Sequence, residues 1–213
     1  MNILRKPFRY SYFRVVYWLI GINVLVFAIM NFISLRSYSQ MMFRMAMIPE
    51  VIIELKWVWT FVTYMFVHGG FTHLLFNMFA LFIFGVQVER QMGSREFLLF
   101  YFVTGILAGV FSFIVYCITG QYNVWLVGAS GAIFAVELAF AVMFPHSVLY
   151  LWGILPVRAP IMILGITGLT LFSIVFNSRD GVAHMTHLAG FAFAWLYFIV
   201  RYGINPWRRL RMR

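Results

Sequence analysis

The chain has 213 residues, of which 63% are apolar and only 10% are charged, and its formal net charge is +10. Soluble domains carry about 25% charged residues, so this composition excludes a soluble globular protein and indicates an integral membrane protein. The basic residues lie mostly at the two ends and in short loops, which is typical of membrane topology and argues against a nucleic-acid-binding protein.

Six apolar segments are predicted to be transmembrane helices, at about 15–35, 72–88, 96–118, 130–144, 160–176 and 185–202. No alternating ten-residue pattern indicates an outer-membrane barrel, so the expected fold class is all-α: a polytopic helical bundle forming one domain, residues 1–213. Four of the spans are short, because a helix of about 16 residues rises only about 24 Å, less than the roughly 30 Å hydrocarbon thickness.

The segments between the spans also carry information. The first span is longer than a signal-peptide core and lacks a small-x-small cleavage site, so we expect it to be retained. The region 36–67, rich in aromatic residues and Met, is expected to be a long, partly embedded external loop. Pro145 favours a break after the fourth span, and residues 148–156 either extend that helix or lie at the membrane interface.

The distribution of Lys and Arg predicts the orientation of the chain. With an even number of spans, the two termini share one side with 12 of the 16 basic residues, and four lie opposite. Both termini are therefore expected in the cytoplasm, in a bacterial plasma membrane, with the start of the fourth helix at the outer end.

Polar side chains within spans cost free energy, about 2.5 to 3.5 kcal/mol for charged groups on insertion scales, so each needs a reason. Here they gather on three predicted helices and their approaches: His68, His73 and Asn77; Ser130 and Glu137; His184 and His187. His73 and Asn77 are four residues apart and share a helix face. His68 is expected at the outer interface, where it either supports the site or bonds nearby backbone.

The pair His184 and His187 could suggest a metal site. No His-Glu-x-x-His arrangement or carboxylate lies at the required spacing, so neither a metal nor another cofactor is expected. Two buried histidines satisfied by their neighbours are the ordinary alternative.

Ser130 stands between glycines at a predicted helix start. A serine there is ordinarily an N-cap, but this does not explain Gly128 and Gly131, which permit a close approach by another helix or a substrate. Free amides at the helix start could stabilise an oxyanion, and His187 could serve as the base of a serine nucleophile. His73 and Asn77 would complete the oxyanion site.

No carboxylate fits as a third catalytic residue. Glu137 faces the same way as Ser130 but lies about 10 Å deeper, so it is expected to bond polar groups inside the bundle. Asp180 lies in a predicted loop and is expected to face water. These positions favour a Ser-His dyad.

Together these residues resemble the rhomboid family of intramembrane serine proteases, from about Trp57 to Ala194. Three signatures occur in the family's order. They are His-x4-His-x3-Asn at His68, His73 and Asn77, Gly-x-Ser-Gly at Gly128 to Gly131, and a catalytic His followed by small residues at His187 to Gly190.

The resemblance implies a six-helix rhomboid-like bundle that cleaves membrane-anchored substrates near the outer membrane boundary without a cofactor. It implies that Ser130 is the nucleophile, that His187 is the general base and that His73, Asn77 and the Ser130 amide stabilise the oxyanion. Gly190 and Ala194 would pack against the fourth helix.

Three positions depart from the family's pattern. Thr60 stands where Arg often follows Trp59, Ala194 stands where Gly is usual, and Phe134 replaces a frequent Tyr. The Phe134 ring is still expected to stack on His187.

Two alternatives to an enzyme remain at this stage. A catalytically silent rhomboid-like protein would bind transmembrane clients, and a small-solute transporter would also carry intramembrane polar residues. The transporter is less favoured, because its polar site would lie near the midplane. The sequence does not define an oligomeric state.

Overall fold

The computed structural model describes residues 5–151, 154–163, 165, 166, 168 and 181–210, and it is predominantly helical. The helices are α1 (Val15–Phe32), α2 (Leu35–Met45), α3 (Pro49–Leu55), α4 (Thr60–Thr63), α5 (Phe71–Met92), α6 (Ser94–Ile118), α7 (Ser130–Met143), α8 (described over 159–163), α9 (Gly181–Tyr197) and α10 (Pro206–Leu210). A 3₁₀ turn (Tyr64–Phe66) follows α4, a π segment (Leu81–Gly85) lies within α5, and another (Phe198–Tyr202) follows α9.

Three of the described helices, α1, α5 and α6, are long and apolar enough to cross a membrane, and α7 is a shorter apolar helix. Helix α5 contains the predicted second span, about 72–88, and continues beyond it to Met92, for 22 residues in all. The start of the predicted fifth span, at 160–163, is helical, as are 165, 166 and 168. The rest of that span lies outside the described residues.

A buried carboxylate near the end of α5, that of Glu89, binds the start of α1. The carboxylate of Glu89 is fully buried and accepts the amide hydrogens of Val15 and Val16, at 2.6 and 3.0 Å. It also accepts the hydroxyl hydrogen of Ser94. Glu89 thereby satisfies amides that the start of α1 leaves without intrahelical acceptors.

A second carboxylate binds the same end of the bundle together. Glu96 in α6 accepts hydrogen bonds from Arg201 at 2.8 and 3.0 Å, from the Tyr197 hydroxyl at 2.6 Å and from the Phe8 amide at 2.9 Å. The N-terminal segment, the junction of α5 with α6 and the end of α9 therefore lie together. We call this end, defined by Glu89, Glu96 and Arg201, the network end.

Small residues bring α6, α7 and α9 into close contact. A Cβ at Gly190 of α9 would overlap the carbonyl oxygen of Gly131 in α7, and one at Gly131 would lie 3.1 Å from the Ala108 Cβ in α6. Ala194, one turn beyond Gly190, is fully buried. Backbones at this separation gain dispersion energy and hold side chains in fixed register.

The region 36–67 is largely helical and packs on the bundle. Met47 exchanges two backbone hydrogen bonds with Leu126, at 3.0 and 2.9 Å, so this region is attached to the segment that leads into α7. Thr60 is fully buried and its hydroxyl donates to the Trp57 carbonyl at 2.7 Å.

The segment after α7 forms strands rather than more helix. Helix α7 ends at Met143, two residues before Pro145. Strands β1 (Val148–Leu151) and β2 (Leu155–Arg158) pair antiparallel, with Val148 opposite Arg158. The prediction of a break near Pro145 is therefore confirmed, and residues 148–151 do not extend the helix.

Candidate active site

Ser130 and His187 lie within hydrogen-bonding distance on two different helices. The Ser130 Oγ is 2.9 Å from the His187 Nε2. Helix α7 begins at Ser130, so Ala129 occupies the N-cap position, and no side-chain cap hydrogen bond forms there. The N-cap interpretation of Ser130 is therefore wrong, and the serine hydroxyl is directed to the histidine.

Stacking against Phe134 and contacts of the neighbouring residues position the His187 ring. The Phe134 ring, one turn beyond Ser130, stacks on the imidazole with centroids 4.2 Å apart and planes 6° from parallel. Next to His187, the Thr186 hydroxyl lies 2.6 Å from that of Ser112 in α6. Together with the close approach of Gly190 to Gly131, these contacts fix the height of the imidazole relative to α7.

His73 approaches the turn before Ser130 because Gly128 has no side chain. Gly128 has a φ of 109°, which strongly favours glycine, and a Cβ there would lie 2.7 Å from the His73 Nε2. The Gly128 amide donates to the Tyr64 carbonyl at 2.8 Å, which fixes the turn. The imidazole of His73 thus lies against the backbone that precedes the serine.

Asn77 lies one turn deeper on α5 and is buried. Its Nδ2 donates to the His73 carbonyl at 2.8 Å. Because a side-chain amide has two N–H donors, the second one is available for another acceptor.

His68 is buried next to His73. It is only 2% exposed, and its ring meets that of His73 edge to face, with centroids 5.0 Å apart. Burial, with a smaller contribution from His73, lowers the pKa of His68 from 6.5 to about 4.

A cavity of about 880 Å³ lies next to Ser130, His187, His73 and Asn77. Its polar lining comprises His73, Asn77, Ser130, His187, Glu137 and Tyr150, and most of the remaining wall is aromatic or aliphatic. Glu137 is 6% exposed, and its Oε2 has no hydrogen-bond partner among the described residues. The expectation that Glu137 bonds polar groups inside the bundle stays a prediction, because the structure shows no partner for this oxygen among the described residues.

Three contributors to the site had no strong signal in the sequence. Tyr64 holds Gly128 through its carbonyl, and its hydroxyl donates to the Gly105 carbonyl at 2.7 Å. Leu149 of β1 and Met162 of α8 line the cavity. All three are ordinary apolar or aromatic residues in a chain full of them, so only the fold distinguishes them.

No group of three or more potential metal-ligating side chains occurs among the residues that the structure describes. The side chain of His184, and Asp180 as a whole, lie outside those residues.

Comparison with known proteins now identifies the family. The sequence profile of the rhomboid domain matches residues 55–203, well over half of the chain. The chain belongs to the rhomboid family. It is therefore an integral membrane protein, and its helical bundle is a rhomboid bundle.

Named relatives agree with this assignment. The chain is 28% identical over 145 residues to rhomboid protease AarA of Providencia stuartii, covering 62% of this chain and 52% of that one. It is 40% identical over 85 residues to rhomboid protease GluP of Bacillus subtilis, covering 40% and 15%. It is 32% identical over 121 residues to the chloroplastic rhomboid-like protein 11 of Arabidopsis thaliana, covering 57% and 39%. The matches thus span at most about half of these relatives.

Proposed function

We propose that this rhomboid protein is an intramembrane serine endopeptidase that cleaves membrane-anchored proteins by acyl transfer through Ser130. The observation that carries the proposal is the 2.9 Å contact between the Ser130 Oγ and the His187 Nε2 on a cavity within an apolar bundle. A neutral imidazole at that distance accepts the hydroxyl proton as the oxygen attacks a carbonyl carbon.

The reaction proceeds in two halves. As Ser130 attacks, its proton passes to His187, and the tetrahedral intermediate collapses to an acyl-enzyme when His187 gives that proton to the departing amine. Water then attacks the ester, His187 takes the water proton, and the carboxylic acid product leaves with Ser130 restored. A dyad suffices for these transfers, because stacking on Phe134 and the close contact between α7 and α9 orient the imidazole.

The oxyanion of each intermediate would be held by donors from two helices. The Ser130 amide lies at the first position of α7, where no intrahelical acceptor exists and the helix dipole favours negative charge. His73 lies against the preceding turn, and Asn77 keeps a second N–H donor. Donors fixed in advance stabilise the developing charge without reorganisation.

The substrate is proposed to be a transmembrane protein with a locally unwound segment of small residues, because the nucleophile needs an extended backbone. The excess of Lys and Arg near the network end supports cytoplasmic termini in a bacterial plasma membrane, with the site at the outer side. The network end also places the N-terminal segment and the end of α9 together.

Cleavage of a single-span model substrate by the purified protein in liposomes tests the proposal. Ser130→Ala and His187→Ala should each reduce turnover by at least about 10³-fold, whereas the exposed controls Ser39→Ala and His146→Ala should retain it. Client binding without cleavage by the wild type, or normal turnover by Ser130→Ala, would contradict the proposal; the first result would favour a catalytically silent client-binding protein.

A further inference from the structure

The carboxyl of Glu137 is a buried polar group that the proposed reaction does not use. It lines the same cavity as Ser130 and His187, is 6% exposed, and has one oxygen without a hydrogen-bond partner among the described residues. Buried polar atoms are nearly always paired, and ionisable groups at membrane depth commonly pair with one another. An unpartnered carboxyl on a cavity wall therefore points to a group that arrives with a ligand.

The surroundings of Glu137 narrow the chemistry of that ligand. The apolar part of the cavity wall includes Ile83, Phe84, Ile133 and Met162, whose side chains offer no hydrogen bond. No Lys or Arg side chain lines the cavity among the described residues. In such apolar surroundings a carboxylate interacts most strongly with a cation that also donates hydrogen bonds.

The depth of Glu137 defines where the cation would come from. Glu137 lies seven residues beyond Ser130 on the same helix face, about 10 Å along the axis. A Lys or Arg side chain reaches about 6 to 7 Å from its Cα, and an extended backbone advances about 3.3 Å per residue. A basic residue within three positions of the cleaved bond can therefore reach the carboxyl.

We propose that Glu137 is a specificity-determining residue that binds a basic side chain of the substrate, located within three residues of the cleaved bond on the side that runs into the membrane. The inference rests on the proposed proteolytic function. A basic residue at that depth is unfavourable in lipid, and the carboxylate offsets this cost only when the substrate occupies the cavity. The ion pair between Glu137 and the basic side chain therefore stabilises the substrate segment in the cavity relative to the same segment in the bilayer.

A substrate series tests the inference. A cleavable single-span substrate receives Lys, Met or Glu in turn at each of the three positions, since Met matches Lys in shape without charge. For the wild type, Lys should raise kcat/KM over Met at one position by at least about tenfold, and Glu should lower it. Glu137→Gln should reduce the Lys-to-Met ratio below about threefold, and the exposed control Glu54→Gln should keep the wild-type ratio.

Equal wild-type cleavage of the Lys and Met substrates at all three positions would overturn the inference, as would an unchanged ratio in Glu137→Gln. The wild-type comparison alone suffices if the variant does not fold. Both outcomes are read from substrates that the wild type cleaves through Ser130. If the wild type cleaves no substrate at all, it is the proposed function that fails.

Discussion

The two ends of the bundle use the same polar residue types in opposite ways. At the network end, the Glu89 and Glu96 carboxylates accept several hydrogen bonds each, and these bonds connect the N-terminal segment, α5, α6 and the end of α9. At the end that carries Ser130 and His187, Glu137 is also buried but leaves one carboxyl oxygen without a partner among the described residues. Buried polar groups that have all their hydrogen-bond partners rigidify a fold, whereas those that lack a partner can bind a ligand or a proton.

The contrast indicates that the two ends have different roles. The network end fixes how the helices meet. The close backbone contacts between α6, α7 and α9 then position Ser130 and His187 at the cavity. Perturbing the contacts should therefore damage both stability and chemistry. Perturbing the network should damage stability alone.

The largest effect is expected where α9 meets α7. Gly190→Ala places a methyl group against the Gly131 carbonyl, so the helices must separate. We expect a loss of about 1 to 3 kcal/mol of unfolding free energy and at least about 100-fold lower turnover, because displacing a catalytic group by about 1 Å is that costly. Detergent unfolding and a cleavage assay measure the two.

Gly21→Ala is the matched control, since nothing lies within 4 Å of a Cβ at that position in α1. It should be neutral or slightly stabilising. Wild-type turnover by Gly190→Ala would show that the close helix contact does not position His187.

The second prediction concerns the network end. Glu89→Gln keeps one acceptor oxygen but turns an amide donor toward the amide of either Val15 or Val16. The unfolding free energy should fall by about 1.5 to 3 kcal/mol, while turnover per folded molecule stays at the wild-type level. Glu54→Gln, on the exposed face of α3, is the control for stability. A large loss of turnover by folded Glu89→Gln would contradict the division between the two ends.

The third prediction concerns the titration of His68, which has little effect at neutral pH. Its pKa in the folded protein, about 4, is below its ordinary 6.5, so between these values the unfolded chain binds a proton that the folded protein does not. Stability should therefore decrease as the pH falls from 6.5 to 4. His68→Phe cannot be protonated and should show a shallower decrease.

Unfolding titrations at several pH values measure this slope. The exposed control His146→Gln should keep the wild-type slope. An unchanged slope in His68→Phe would show that His68 is protonated equally in the folded and unfolded states.

The sequence predicted most of the helices and the residues that stand out within them. It predicted little of the burial and pairing that depend on contacts between helices. Ser130 and His187 were predicted as partners because a hydroxyl between glycines and a histidine are exceptional in apolar helices, and the structure brings them together. The stacking of Phe134 on His187 was also expected, but from the resemblance to the rhomboid family rather than from the residues alone.

The errors share a physical cause, which is that burial depends on distant parts of the chain. Hydropathy ended the second span before Glu89, although that carboxylate is buried because it caps α1. No pattern within 148–158 distinguished a strand pair from more helix.

Covalent labelling tests the central claim most directly. A fluorophosphonate probe added to the purified protein should modify Ser130, as identified by mass spectrometry of the labelled peptide, and Ser130→Ala should not be labelled. His187→Ala should be labelled far more slowly, because the hydroxyl then lacks its base. Absence of label on Ser130 in the folded wild type, or undiminished labelling in His187→Ala, would contradict the account of Ser130 and His187 as a catalytic dyad.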